Sequence, residues 1–354
     1  MLKSYLSQLR LRVPCYHPSA YRMKIFLIAA VVALLLLPGL ATAQPAAIWI
    51  DTDIHLGRFG RDVDDGLAII QAVRSDKVAI RGISFVLNIN HGYRITEKLL
   101  QRCGKTIPIY KGATSSKLLG KETDAIKALA EALRKEQLSI LILGSATNIA
   151  TVLMLYPELQ YQIKEIVFCG GRQPGRLLNP AKGRINLPDI NFERDPKAFQ
   201  LILNTQIPLV LAGYEASSTI YVDNQDIHFL QESSDQTDRW LYQQLRQWQK
   251  LWKIALGSRK GFIPFDAVTA AWLTDPGYLL YFNDIPVSIE QLPDDWKLHR
   301  LIHHRKPFLQ ASYQYASIRK VTYCYGVQPA YKELMLQSLK GNFQPAIIPV
   351  LTVK

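Results

Sequence analysis

Cysteine is scarce in this chain of 354 residues, which contains four. Three of them, Cys103, Cys169 and Cys324, lie beyond residue 43, where we expect the folded domain to begin. No two have the short spacing of a zinc site, and an odd number argues against a framework in which every cysteine is paired. One disulfide and burial as free thiols both remain open.

Long apolar runs are also scarce. The uninterrupted run at residues 25–37 has 13 residues, whereas a membrane-spanning helix needs about 20. It follows Lys24 and precedes small residues at positions 41–43, a layout typical of a secretory signal peptide. The alternative, a retained membrane anchor, is disfavoured by the short run.

The predicted signal peptide divides the chain into two parts. We expect residues 1–43 to be removed by cleavage before Gln44, and residues 44–354 to form one mature domain. A polar, basic segment precedes the signal, so a translation start at Met23 gives the more usual layout. The protein is then exported, either periplasmic or secreted, with no membrane attachment after cleavage.

A basic run is missing too, although the formal net charge is +13. The 42 lysines and arginines recur singly among 29 aspartates and glutamates, and there is no internal repeat or low-complexity tract. Proteins that bind nucleic acid usually concentrate basic residues in a stripe or a known module. We therefore expect a soluble basic surface and no nucleic-acid partner.

Strand-like and helical segments alternate along the mature chain. This alternation predicts a single α/β domain: a Rossmann-like, open, mostly parallel sheet flanked by helices. A longer helical stretch at residues 234–256 precedes a smaller, strand-rich C-terminal part with a final helix near 330–339. Residues 171–188 read as a long loop. Ligands of such folds bind beyond the carboxyl ends of the strands.

Five aspartates crowd into the first predicted strand end and the helix that follows. They form I-D-T-D at residues 50–53 and D-V-D-D at residues 62–65. Carboxylates packed this densely repel one another and raise each other's pKa values. A hard divalent cation removes the repulsion and prefers oxygen ligands. The sequence therefore favours a metal site over a solvated acidic loop at a helix N-terminus.

Four further motifs follow the acidic cluster in a definite order. They are G-S-A-T-N-I-A at 144–150, E-I-V-F-C-G-G at 165–171, D-I-N-F-E-R-D-P at 189–196 and F-D-A-V-T-A at 265–270. Together with I-D-T-D and D-D-G-L-A, they resemble the signature motifs of the nucleoside hydrolases, including the inosine–uridine-preferring enzymes. The resemblance extends over nearly the whole mature chain.

The resemblance implies an enzyme that hydrolyses the N-glycosidic bond of ribonucleosides to ribose and free base. It implies a Ca²⁺ ion held by Asp53, Asp65, the main-chain carbonyl of Thr147 and Asp266. Relatives commonly form homodimers or homotetramers, and the oligomeric state of this chain stays open between these and a monomer. The expected partner is a small nucleoside, and the preferred base cannot be read from the sequence.

The resemblance also implies roles around the metal. Asp53 would accept a proton from the attacking water, which leads to a transition state resembling an oxocarbenium ion. Asp64 would bind the 2′-hydroxyl of the ribose, and Asp189 and Asn191 its other hydroxyls. Asp51 would support the metal-binding side chains from behind.

The chain departs from the family pattern on the sugar side. Ten residues, 54–63, separate Asp53 from the aspartate pair, where the family usually has three; this insertion either reshapes specificity or is a surface feature. Asp189 stands where the family has glutamate. Ile89 falls on a usual asparagine position, which Asn88 or Asn90 would have to fill. A further ribose-contacting asparagine would be Asn179 or Asn186.

A second departure concerns the leaving base. Some relatives have a histidine directly before the last aspartate, where this chain has Phe265. Either another donor, His55 or His91, or aromatic stacking must then assist base departure. Trp248 and Trp252 lie four residues apart on one helix face, as core residues or as a stacking surface. A basic stretch with three histidines is expected on the surface, at His299, His303 and His304.

Two other functions remain as alternatives. A phosphohydrolase of the haloacid dehalogenase type also has D-x-D after an apolar strand, but that interpretation leaves the later motifs unexplained. A catalytically impaired, exported protein that binds calcium and nucleoside would account for Phe265 and the long insertion.

Overall fold

The structure is a computed structural model that describes three ranges of the chain, residues 44–180, 186–295 and 304–340. The predicted signal peptide, His299 and His303 lie outside the described residues. The described residues from 45 onward form one compact unit. None of the helices in the described ranges is long and apolar enough to cross a membrane.

Nine strands form one mixed sheet in the described part of the chain. Their bounds are β1 Ala46–Thr52, β2 Val78–Phe85, β3 Ile109–Lys111, β4 Leu138–Ile142, β5 Ile163–Phe168, β6 Leu209–Leu211, β7 Leu279–Pro293, β8 Arg305–Ala311 and β9 Lys320–Val327. Their order is β3-β2-β1-β4-β5-β6-β9-β7-β8. Strands β1 to β6 pair in parallel, and β9 joins β6 in parallel. Strand β7 pairs antiparallel with β8 and β9. The predicted fold class is confirmed.

Eleven α-helical segments accompany these strands within the described ranges. They are α1 Asp64–Arg74, α2 Ile89–Arg102, α3 Asp124–Lys135, α4 Thr147–Leu155, α5 Ile190–Glu193, α6 Pro196–Leu203, α7 Tyr214–Ser217, α8 His228–Glu232, α9 Gln236–Leu251, α10 Phe265–Thr274 and α11 Ala330–Ser338. Helix α9 continues into a π-helical turn, Trp252–Leu256, that ends at Gly257 in the left-handed conformation. Turns of this kind are frequent at functional sites.

The central strands are buried on both faces. In β1, Ile48 and Ile50 belong to one hydrophobic core and Trp49 to a second. In β4, Leu141 joins the first core and Ile140 the second. Because successive side chains of a strand point to opposite faces, these apolar runs require cover on both sides, as parallel sheets usually have.

The chain order reverses at β1, which pairs with β2 on one side and with β4 on the other. In open α/β sheets, the crevice beyond the strand ends at such a reversal is the usual ligand site. Asp53 directly follows β1, and Leu143 directly follows β4. Both residues therefore lie at this crevice.

The three cysteines in the described ranges, Cys103, Cys169 and Cys324, are free thiols. Cys169 and Cys324 are buried, where they act as small apolar side chains. The sequence left open one disulfide or burial as free thiols, and the structure has free thiols at these three positions.

Candidate active site

A cavity of about 190 Å³ lies at the carboxyl ends of the central strands. Six carboxylates line it. One is Asp189, and the other five are called the acidic floor below: Asp53, Asp62, Asp64, Asp65 and Asp266. All except Asp62 are buried. The structure thus brings Asp53, Asp64 and Asp65 together with Asp266, which comes from the last third of the chain.

Two helices deliver most of the acidic floor. Helix α1 begins with Asp64 and Asp65, and Asp266 is the second residue of α10. The two helices pack against each other, and the main-chain N–H of Asp266 donates to Asp64 Oδ2 at 3.5 Å. The hydroxyl of Thr52 donates to Asp65. The helix N-termini offset part of the repulsion, because their dipoles favour negative charge.

The acidic floor has the donor chemistry of a hard-cation site. Asp62, Asp64 and Asp65 each offer an oxygen, and these oxygens lie within 4.8 Å of one another. Calcium and magnesium take oxygen ligands, and calcium tolerates irregular geometry. The described residues of the cluster therefore fit a divalent cation.

Burial makes these carboxylates hard to ionise. Removal from water raises the pKa of Asp53 to about 7 and that of Asp64 to about 8, and the charge of Asp62 adds to both shifts. Burial raises the pKa of Asp62 itself to about 6. Burial and neighbouring carboxylates raise the pKa values of Asp65 and Asp266 well above the ordinary range. Without a cation the cluster therefore retains protons near neutral pH.

Asp51 lies behind the acidic floor and is fully buried. Its Oδ1 accepts hydrogen bonds from Asn148 Nδ2 at 2.8 Å and from the Ser84 hydroxyl. Its Oδ2 has no hydrogen-bond partner among the described residues. Burial raises its pKa to about 7. Asp51 ties β1 to β2 and α4 and does not line the cavity, as expected for a supporting residue.

The ends of β4 and β5 position the amide of Asn191. Its Nδ2 donates to the carbonyls of Leu143 and Cys169, each at 3.0 Å. Both amide hydrogens go to main-chain carbonyls, so Oδ1 is the atom left to accept a hydroxyl proton. Asp189 also lines the cavity, and its Oδ2 accepts from the Gly171 N–H at 2.7 Å.

Thr147, the expected carbonyl ligand, lies beside the cavity and not in its lining. Thr147 is the first residue of α4 and is not among the residues that line the cavity. Its carbonyl accepts from the Thr151 hydroxyl at 2.7 Å, and its own hydroxyl donates to Asp195 at 2.7 Å. The helix has turned this carbonyl along its own axis, so Thr147 is not brought together with the acidic floor. Leu143, which directly follows β4, does line the cavity.

Arg194 is a site residue that the sequence did not reveal. Its Nη1 donates to Asp53 Oδ2 at 2.6 Å, and its half-buried side chain lines the cavity. An arginine between two short helices looks like an ordinary surface residue in sequence. The one available signal was its place within D-I-N-F-E-R-D-P, three positions after Asn191.

Comparison with known proteins places this arrangement in a family. The model of the family described as "Inosine-uridine preferring nucleoside hydrolase" matches residues 48–306. This chain belongs to that family. The resemblance predicted from the motifs is thereby confirmed, and the haloacid dehalogenase alternative has no support.

Curated relatives are distant from this nucleoside hydrolase family member. The pyrimidine-specific ribonucleoside hydrolase RihA of Klebsiella pneumoniae is 27% identical over 154 residues, which cover 43% of this chain and 48% of that protein. The chain thus spans about half the length of the curated relatives it matches.

Solved structures match over a greater length. A plant nucleoside hydrolase, the PpNRh1 enzyme, has a TM-score of 0.65 at 18% identity and is covered over 99% of its chain, against 83% of this one. The purine-preferring ribonucleoside hydrolase of Gardnerella vaginalis has a TM-score of 0.66 at 15% identity, with 97% and 83% covered. At these identities the likeness establishes the fold alone.

The insertion of this family member is partly structural. Ile54 and Leu56 are fully buried in the main core, whereas Phe59 at the tip is 91% exposed. The buried His55 ring contacts Asn88 Nδ2, and Arg58 Nη1 donates to Asn88 Oδ1 at 2.6 Å. The side chain of Asn88 is thus held by the insertion. Ile89 is buried in the core and contributes no polar group.

Neither histidine suggested as a proton donor lines the cavity. Burial, together with the charges of Arg194, Arg61 and Arg58, lowers the pKa of His55 to about 4. His91 Nε2 is hydrogen-bonded to the Leu56 carbonyl oxygen at 2.8 Å. Both histidine rings therefore stabilise the insertion through their hydrogen bonds.

Four aromatic residues line the cavity and are called the aromatic wall below: Tyr214, Trp248, Trp252 and Phe265. The rings of Trp248 and Trp252 make an edge contact at 6.3 Å between centroids, and Trp252 and Phe265 lie 6.4 Å apart. Trp252 is 2% exposed, and its Nε1 has no acceptor among the described residues. The wall belongs both to the core and to the cavity, so the two interpretations of the tryptophans are not exclusive.

The remaining candidates lie beside the cavity. Asn179 Nδ2 donates to Asn186 Oδ1 at 2.8 Å, and neither asparagine lines the cavity, although Leu178 and Leu187 do. Asn90 is exposed and also lies outside the lining. His304 is half exposed and contacts Asp294 at 3.0 Å.

Proposed function

We propose that this protein is a calcium-dependent hydrolase that splits the N-glycosidic bond of ribonucleosides into ribose and free base. The family match supports this reaction class. The observation that carries the proposal for this chain is the convergence of the acidic floor with Asp189 and Asn191 in one cavity. Cation ligands and acceptors for ribose hydroxyls thus line the same space.

Calcium is the proposed cation, with Asp53, Asp65 and Asp266 as ligands. Their oxygens are the donor type that calcium prefers. Leu143 is proposed to supply the main-chain carbonyl in place of Thr147, because it lines the cavity at the end of β4. When bound, the cation lowers the pKa of a coordinated water and so supplies a nucleophile near neutral pH.

Asp53 is the proposed general base. Its carboxylate takes a proton from the attacking water while the water oxygen bonds to C1′ of the ribose. The C1′–N bond breaks, and its electron pair goes to the base nitrogen. Positive charge develops on the sugar in an oxocarbenium-like transition state, and the negative acidic floor stabilises that charge.

The ribose is proposed to bind through its hydroxyls. Asp64, in the first turn of α1, accepts from the 2′-hydroxyl, and Oδ1 of Asn191 accepts from a second hydroxyl. Asp189 is proposed to contact a third hydroxyl, although its side chain is shorter than the glutamate of relatives. Asp51 holds β1 in register from behind through Ser84 and Asn148. Such fixed contacts position C1′ for attack.

The aromatic wall is proposed to stabilise the departing base. A planar base stacks on aromatic rings, which holds the base in place as the C1′–N bond breaks. With Phe265 before Asp266, and with His55 and His91 outside the cavity lining, no described imidazole is placed to protonate the base. The departing base then takes its proton from solvent water.

Export and self-association remain part of the proposal. A signal peptide at residues 1–43 would place the enzyme in the periplasm or medium, where it releases bases from nucleosides before uptake. Detection of the mature protein only in the cytoplasm would refute export. Light scattering of the purified protein would decide among monomer, homodimer and homotetramer.

A second function is favoured by two specific observations. Phe265 replaces a histidine that some relatives have, and Arg194 already occupies one oxygen of Asp53. A protein that binds calcium and nucleoside without turnover would tolerate both features. Stoichiometric nucleoside binding in calcium with no base released over hours would establish this alternative.

The deciding experiment is ribose release from a panel of purine and pyrimidine nucleosides, using protein from Gln44 onward. It is run with calcium, with chelator, and with Asp53→Ala. Asp124→Ala is the matched control, because Asp124 is an exposed aspartate in the first turn of α3 and does not line the cavity. Chelator-sensitive release that only Asp53→Ala abolishes would support the hydrolase, and the panel would identify the base.

A further inference from the structure

Arg194 is the one basic side chain among the described residues that line the cavity. Its guanidinium donates to Asp53 Oδ2 at 2.6 Å, a short, charge-assisted hydrogen bond. Asp53 is buried, and Arg194 is about one-third exposed. The pair is therefore partly shielded from solvent and stronger than an ordinary surface ion pair.

The main chain of Arg194 is fixed, whereas its side chain has room to move. The Arg194 N–H donates to the Ile190 carbonyl at 3.1 Å. The next residue, Asp195, caps α6 by accepting from the Ala198 N–H at 3.0 Å. Because both neighbouring helices hold this position, the guanidinium stays within reach of Asp53, and only its side-chain torsions change how close it comes.

The surroundings of this contact are strongly acidic. The guanidinium charge also lowers the pKa of Asp53 and of Asp62, against the larger effect of burial. Arg194 thus supplies part of the positive charge that the acidic floor needs. A divalent cation would supply the same charge at the same carboxylate.

We propose that Arg194 is an internal counter-ion that competes with the divalent cation for Asp53 and thereby sets the calcium concentration at which the site fills. This inference rests on the calcium site of the proposed function. A cation that coordinates Asp53 either displaces the guanidinium or lies close to a second positive charge. Both alternatives weaken calcium binding relative to a site that lacks the arginine.

Isothermal titration of the metal-free mature protein with calcium alone tests the proposal without any nucleoside. Arg194→Gln keeps a polar, shorter side chain and removes the charge. We expect this variant to bind calcium about tenfold more tightly, since a charge-assisted hydrogen bond is lost from the metal-free state only. Arg194→Lys retains the charge and is expected to lie between the two.

Arg61→Gln is the matched control. Arg61 is an exposed arginine of the insertion, close enough to affect Asp62 but outside the cavity lining. Removal of its charge is expected to change calcium affinity less than threefold, because solvent screens exposed charges. A similar gain in both variants would overturn the proposal in favour of a general charge effect.

Two further outcomes would also overturn it. Equal or weaker calcium binding by Arg194→Gln, with an unchanged circular dichroism spectrum, would mean that Arg194 positions Asp53 for the cation. Absence of calcium binding to the unsubstituted protein would remove both this inference and the calcium part of the proposed function. Tight binding without nucleoside cleavage would leave the inference standing and contradict only the hydrolase.

Discussion

The acidic floor and the aromatic wall line one cavity, yet they relate differently to the rest of the family. The acidic floor consists of aspartates that stand in recognisable motifs, directly after β1, at the end of the insertion, and on α1 and α10. The aromatic wall contains Phe265 where some relatives have histidine, and it adjoins a π-helical turn. The comparison teaches that the part proposed to activate water and the part proposed to receive the base can vary separately.

The two regions also differ in how they are stabilised. The acidic floor is a set of buried like charges whose assembly needs hydrogen bonds, helix N-termini and a cation. The aromatic wall is apolar and packs as core, with Trp252 almost fully buried. Loss of a charge from the floor should therefore affect chemistry, whereas loss of a ring from the wall should affect both base binding and stability.

The largest expected effect comes from removal of the proposed base. Asp53→Asn keeps the shape of the side chain but cannot accept the proton, so kcat should fall by about a thousandfold. Ribose release under saturating calcium measures this effect. Asp124→Asn, on the exposed start of α3, should retain full activity; equal losses in both variants would contradict the assigned role.

The sequence predicts most of the acidic floor but not all of the site. A continuous apolar run such as Ile48, Trp49 and Ile50 is enough to predict a buried strand, and motif order links Asp266 to the first strand. The choice between the Thr147 and Leu143 carbonyls could not be made from the sequence, because a main-chain ligand carries no side-chain signal. Arg194 was missed because its contact with Asp53 depends on tertiary packing.

The location of the aromatic wall was also hard to predict from the sequence, because it too depends on tertiary packing. The four-residue spacing of Trp248 and Trp252 predicts one shared face, but it does not say whether that face meets core or cavity. The division of the insertion into a buried part and an exposed tip is known only from the structure, in which Ile54 and Leu56 are buried while Phe59 is exposed. The apolar character of Ile54 and Leu56 was a signal for their burial.

The acidic floor and the aromatic wall should also differ in their response to pH. A large effect of pH is expected on calcium binding to the acidic floor. Burial raises the pKa of Asp53 to about 7 and of Asp64 to about 8. Below those values these carboxyls are protonated in the metal-free protein. Asp53, a proposed ligand, must lose its proton when calcium binds, and the charge of the cation favours the ionised form of Asp64 beside it. Affinity should therefore rise with pH between about 6 and 8, by about tenfold per unit for each proton released.

Calorimetry in two buffers of different ionisation enthalpy measures the protons released by calcium. The expected number is above zero at pH 7 and falls towards zero well above pH 8. Affinity that does not vary with pH would show that the floor is already ionised without calcium. Binding of a base analogue to the aromatic wall should vary far less over the same range, since the four wall side chains carry no charge there.

A moderate effect is expected from the wall. Trp248→Leu removes a half-buried ring from the cavity lining and should lower kcat/KM by about tenfold, since stacking of a base on an aromatic ring contributes about 1–3 kcal/mol. Trp240→Leu is the matched control on the same helix, also half-buried but outside the lining. If both variants lose activity equally, α9 acts through stability and not through base stacking.

The smallest expected effect concerns the tip of the insertion. Phe59 is 91% exposed, so Phe59→Ala should change the free energy of unfolding by less than about 0.5 kcal/mol and leave kcat/KM unchanged for every nucleoside. Leu56→Ala, at a fully buried position of the same insertion, should cost about 2–5 kcal/mol. Thermal unfolding and the nucleoside panel measure both variants. A changed base preference in Phe59→Ala would mean that the tip folds over the aromatic wall when substrate binds, which would make the insertion a determinant of specificity.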